Sequence, residues 1–164
     1  MNPSQRPTRF GVVSTATAAQ TDGLTFLHNM ISGHYPAPPF ADTSDIWIIE
    51  ADHGRVLFEA VPAEKFLNPL GTIHGGWIST LLDSAMGCAV HSMLKPGHGF
   101  TTVDMTVSFV RAVLPTSGKI TCEGKIIHSG GRIATAEGRV TDAAGKLIAH
   151  GTETCLIFET PVAV

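Results

Sequence analysis

The sequence predicts an α+β domain in which a curved antiparallel sheet closes around one buried helix, and three observations lead there. The run 75–94 is apolar on nearly every face and is closed by Lys95, Pro96 and Gly97, so it reads as a long helix that must be wrapped. Four segments follow it, 100–113, 119–128, 132–142 and 146–158, each alternating or rich in Val, Ile and Thr and each bounded by turn residues. Two shorter strand-like runs, 46–51 and 55–61, precede it, with Asp52, His53 and Gly54 between them as hairpin chemistry.

The remaining elements are read in chain order. Residues 1–20 are polar and without periodicity, which predicts a loose leader. From Thr21, read as an N-cap, Leu24, Leu27, Met30 and Ile31 recur at helical spacing until Gly33, giving a short first helix. The stretch 34–45 holds three prolines and reads as an extended connector. The division expected is a leader with a short helix over 1–37 and the main domain over 38–164.

Composition narrows the function. With 164 residues, 43% of them hydrophobic, the chain is large enough for one well-buried core. Lys and Arg number 11 against 14 Asp and Glu, without a basic block, so a nucleic-acid partner is not expected. A charged content of 15% is low for a monomer's surface and predicts a homo-oligomer, a dimer or a tetramer. Cys88, Cys122 and Cys155 show no paired spacing, which fits a reducing cytoplasm. The 75–94 run carries Asp83 and His91, so it reads as a core helix and no membrane partner is expected. Eight histidines show no metal-ligand spacing, and no metal is assigned.

The chemistry concentrates between Asn68 and Asp83. His74, Gly75 and Gly76 stand at the helix entrance, where the first N–H groups lack acceptors and the dipole favours negative charge. A polarised carbonyl oxygen is stabilised in such a place, and glycine lets it approach the backbone. Asn68 adds an amide that can reach the same oxygen, although Asn-Pro also starts turns. Asp83 is the one formally charged residue in 75–94, and its neighbours at three and four residues' distance include no base. Either burial raises its pKa, or it meets polar groups from elsewhere, or Ser79 or Thr80 caps it. Thr102 and Asp104, two apart on the following strand, are expected on one face, where Thr102 can orient a water beside Asp83.

Gly75 and Asp83 are eight residues apart, about 12 Å along one helix. A carbonyl-polarising donor and an attacking group must both lie about 3 Å from the reacting centre. If both residues act, Gly75 of one copy must face Asp83 of another across a twofold axis.

The pattern N-P-L-G-T-I-H-G-G-x6-D, followed by T-T-V-D-M and S-F-V-R, closely resembles the hotdog-fold acyl-CoA thioesterases of the phenylacetate-degradation (PaaI) type, over about 38–158. That resemblance implies a hotdog fold and hydrolysis of an acyl-CoA, aryl or medium-chain, to free acid and CoA. It also implies that Asn68 and the Gly75 N–H hold the thioester carbonyl while His74 supports the loop. Asp83 of the partner copy would be general base or nucleophile, and Thr102 would orient water. No cofactor is implied beyond the CoA of the substrate. Gly76, Trp77, Arg111 and Arg132 are expected to contact substrate, Arg132 being the first choice for a CoA phosphate, with Lys119, Lys125 and Arg139 as further candidates. Phe40, Phe66, Trp77, Met86 and Phe100 are candidates for an acyl pocket. A hotdog hydratase or dehydratase and a non-catalytic acyl-CoA sensor are the rival readings.

Overall fold

In the computed structural model, which describes residues 6–160, the long helix forms where the apolar run predicts it. This helix, α4, spans Gly75–His91; α1, α2 and α3 precede it at Thr15–Ala19, Gly23–Ile31 and Pro39–Ser44. The strands are β1 (Ile46–Asp52), β2 (Arg55–Ala60), β3 (His98–Phe109), β4 (Ile120–Ser129), β5 (Ile133–Asp142) and β6 (Leu147–Glu159). They form one sheet in the order β1-β2-β4-β5-β6-β3, every neighbouring pair antiparallel. β1 and β3 are therefore its edges.

The sheet curls around α4, which packs against all six strands. Leu81, Leu82, Ala85, Met86 and Val90 of the helix form one core with Val56, Ile120, Val140 and Ala149 of the sheet. The sheet backbone comes close to the helix at Gly124 of β4, where an added Cβ would lie 2.2 Å from the Ala85 carbonyl oxygen. At the far end Ser92 caps the helix: its Oγ donates to the Ala89 carbonyl and accepts the Gly54 N–H, the two bonds together fastening helix end to hairpin turn.

The N-terminal region departs from the sequence reading. Residues 6–20 are not a loose leader, because Ser14 caps α1 by accepting the Thr17 N–H and the Gly97 N–H donates to the Ala19 carbonyl. Residues 1–5 of the expected leader lie outside the described residues. The cap of α2 is Asp22 rather than Thr21, its Oδ1 accepting from the Thr25 N–H. α3 replaces part of the extended connector, since Pro39 at a first helical position is already set at a helical φ.

A β-bulge overturns one register expectation. Pairing between β3 and β6 shifts between Thr102 and Asp104, so Thr102 faces Cys155 while Asp104 faces Thr154. The extra residue, Val103, reverses the alternation. Thr102 turns inward and Asp104 outward, on opposite faces rather than one.

Candidate active site

At the helix entrance the imidazole of His74 acts as the cap, Nδ1 accepting the Gly76 N–H at 2.9 Å. The Gly76 N–H is thereby used within the chain. The Gly75 N–H, first of the helix, has no acceptor among the described residues. It opens into a depression of about 320 Å³ lined by Asn68, Thr72, Gly75, Phe109 and Arg111 among others.

Asn68 is first of all a loop brace. Its Oδ1 accepts the N–H groups of Leu70 and Thr72 and its Nδ2 donates to Thr72 Oγ1 at 2.8 Å. An amide carries two N–H donors, so one remains for a ligand. The structure thus brings Asn68, Gly75, His74 and Arg111 to one mouth of the molecule.

Asp83 lies eight residues further along α4 and is half-buried. Of the three environments open to it, the structure shows polar groups from elsewhere: Thr102 Oγ1 donates to Asp83 Oδ1 at 3.3 Å. Thr80 does not cap it, because the Thr80 hydroxyl donates to the Gly76 carbonyl one turn back.

A second carboxyl lies behind Thr102. Glu153 of β6 is 2% exposed; its Oε1 lies 2.8 Å from Thr102 Oγ1, within hydrogen-bond distance, and accepts from Cys155 Sγ at 3.0 Å. Burial holds its carboxyl above the ordinary glutamate range, against the hydrogen bonds of Cys155 and Thr102, and nearby Asp83 adds to the rise. The sequence reading missed Glu153. The signal was its parity, since Ala149, Gly151, Cys155 and Ile157, all an even number of residues away on β6, are buried. Burial above all pushes the Cys88 thiol up to about 12, so it stays protonated and non-nucleophilic at neutral pH.

The other expected contacts are scattered. Trp77 is in the core, stacked on Phe66 at 4.9 Å with Nε1 donating to the Ser44 carbonyl at 2.7 Å. Met86 is fully buried, and Phe100 packs against Gly87 and His91. Arg111 is held by Asp142 Oδ2 at 2.9 Å and the Lys146 carbonyl at 2.8 Å. Lys119 pairs with Glu59 at 2.7 Å and Lys125 with Glu123 at 2.7 Å. Arg132 is exposed at the β4–β5 turn, beside Ile157, at the sheet end opposite Arg111. Of the aromatic candidates, Phe40 lines an apolar cavity of about 150 Å³ with Met30, Ile31, Phe58, Ser84 and Cys88. Ser84, which follows Asp83 on α4, contributes to the wall of this cavity.

The fold and this arrangement frame the comparisons with known proteins. The model of the thioesterase superfamily matches residues 70–149, a span that includes Gly75, Asp83 and Thr102. The chain belongs to that superfamily. As a member it is an enzyme of the thioester hydrolase class, and its fold is the hotdog fold. Acyl-coenzyme A thioesterase 13 of Homo sapiens is 29% identical over 110 residues, 66% of this chain and 77% of that protein. A phenylacetic acid degradation-related protein of Ralstonia eutropha JMP134 superposes with a TM-score of 0.73 at 27% identity, over 80% of this chain and 98% of its own. A protein of Streptococcus mutans UA159, solved bound to acetyl CoA, shares the fold with a TM-score of 0.64 at 22% identity, over 70% of this chain and 90% of its own. Asn68 and Glu153 lie outside the superfamily match, so their roles rest on this chain's own geometry. No helix among the described residues is long and apolar enough to cross a membrane.

Proposed function

We propose that the chain hydrolyses acyl-CoA thioesters to free acid and CoA, in a site that two copies build together. The observation that carries this reading is the division of labour along α4: an N–H at Gly75 without an acceptor among the described residues and a half-buried carboxyl, held by Thr102, eight residues on. The thioester carbonyl takes two donors, the Gly75 N–H and the remaining Asn68 amide hydrogen. As the tetrahedral intermediate forms, its oxygen gains charge, and one such donor contributes about 2.7–4 kcal/mol to the transition state. Asp83 of a second copy either removes a proton from the attacking water and passes it to the leaving thiolate, or attacks itself, expelling CoA thiolate and leaving a mixed anhydride that water then hydrolyses to the free acid and the regenerated carboxylate, with the proton released going to the thiolate. Besides substrate the reaction consumes only water.

The edge strand supports the shared site. Among the described residues β3 has no partner on its outer side, and Val103, Phe109 and Val110, on it and just past its end, are 56%, 53% and 56% exposed. An open edge with exposed apolar residues favours pairing with a second copy. The cavity next to Ser84 is apolar, which supports an aryl or medium-chain acyl group, and the N-terminal segment supplies Met30, Ile31 and Phe40 to its wall. Arg132, without an ion pair among the described residues, is the basic side chain on offer to a CoA phosphate.

The test is Asp83→Asn, assayed by thiol release over a panel of acyl-CoAs. The variant keeps the fold and loses about 10²-fold or more in rate; a wild-type rate would remove Asp83 from the mechanism.

A further inference from the structure

Thr102 stands between two carboxyls with one proton to give. Its Oγ1 is 3.3 Å from Asp83 Oδ1 and 2.8 Å from Glu153 Oε1. Were both carboxyls ionised, the shorter contact would claim that proton and Asp83 would lose its donor.

The surroundings of Glu153 argue against its carrying a charge. It is 2% exposed, and its Oε2 is buried without a hydrogen-bond partner among the described residues. Facing it are Asp83 and Cys88 from α4, Thr102 from β3, Cys155 from its own strand and Ala136 across from it on β5. His91, further along α4 against Phe100, is held neutral by burial down to about 4. Among the described residues no Lys or Arg pairs with Asp83 or Glu153. A charge sealed off with no cation and one oxygen unpartnered is costly, whereas a neutral acid is not. A proton on Oε2 would meet no acceptor; on Oε1 it has the Thr102 oxygen at 2.8 Å.

We propose that Glu153 is a positioning residue that acts as a neutral acid: its Oε1–H donates to the Thr102 hydroxyl, which turns the Thr102 proton onto the Asp83 carboxylate. This deepens the reading in which Asp83 is the working carboxylate and rests on it. A hydroxyl that accepts on one side and donates on the other is fixed in direction, and the ionised form of Asp83 gains a hydrogen bond. The upward displacement of the Glu153 carboxyl by burial agrees with the geometry. When pH rises and Glu153 ionises, Thr102 turns to it and a second negative charge stands near Asp83. Hydrolysis then falls on the alkaline side.

Glu153→Gln keeps a donor toward Thr102 at every pH and cannot ionise. The pH profile of kcat/KM for the wild type is expected to show an alkaline limb that Glu153→Gln lacks, with near wild-type rates on the acid side of that limb. Infrared spectroscopy of the wild type is expected to show a protonated-carboxyl band titrating above about 4.3, the value for a free glutamate, and missing from Glu153→Gln. In Thr102→Val the band persists and moves to higher frequency, because the acid has lost its acceptor; this readout stands even if Glu153→Gln does not fold. Superposable pH profiles, or no such band in the wild type, would overturn the proposal. In Asp83→Asn the band remains while hydrolysis is lost, so failure of the Asp83 reading, seen as retained rate, is distinct from failure of the Glu153 role.

Discussion

Asp83 and His91 occupy one helix, two turns apart, yet their environments act on them in opposite ways. Asp83 has solvent on one side and a hydroxyl donor on the other. The His91 ring is wedged between Phe26 and Phe100 with Nε2 buried and without a partner among the described residues, and burial pushes its pKa down to about 4, only partly opposed by Asp22. An unfolded histidine titrates near 6.5, so between that pH and about 4 the unfolded chain binds the proton that the folded chain refuses. Stability from this group is therefore complete above about pH 6.5 and is lost as pH falls toward 4, by roughly 2–3 kcal/mol. Urea midpoints measured across that window should fall with acid in the wild type and flatten in His91→Leu. A parallel fall in both proteins would assign the acid sensitivity to other groups.

At the scale of elements, α4 is held to the sheet by absences of side chain. Gly124 lets β4 touch the helix backbone, and a Cβ there would meet the Ala85 carbonyl, which cannot move without displacing the helix. Gly124→Ala is expected to cost about 1–3 kcal/mol, read as a lower denaturant midpoint at unchanged slope; an unchanged midpoint would mean that helix and sheet are not in contact there. The same scale shows what the sequence makes legible. α4 and all six strands could be read because their apolar periods are long and bounded by turns. α1 and α3 are too short, at five and six residues, to show a period, and the Pro38-Pro39 pair that starts α3 reads equally well as a connector. Asp83 was legible as a charge in an apolar run. Its Thr102 partner was legible in part, but the bulge at Val103 that aims Thr102 inward and Asp104 outward leaves no mark in an alternating strand. Glu153 could have been found from its parity with Cys155 and Ile157; a polar triplet, Thr152 to Thr154, hid it.

On the scale of the whole molecule, the proposed reaction centre has two halves that one chain's own helix keeps about 12 Å apart. The donors of Gly75 and Asn68 open at the end where β3 finishes; Asp83, Thr102 and Glu153 gather nearer the other. Thioester hydrolysis needs both halves at one carbon, and the open edge of β3 offers a way for a second copy to bring them together. Mixing subunits of Asp83→Asn with subunits of Asn68→Ala tests this most directly, because a mixed dimer holds one site with neither substitution and one with both. Each variant alone should be nearly inactive, and each mixed dimer should regain one intact site, up to about half of the activity of a wild-type dimer. No recovery after subunit exchange has been verified by mass would contradict a centre shared between copies.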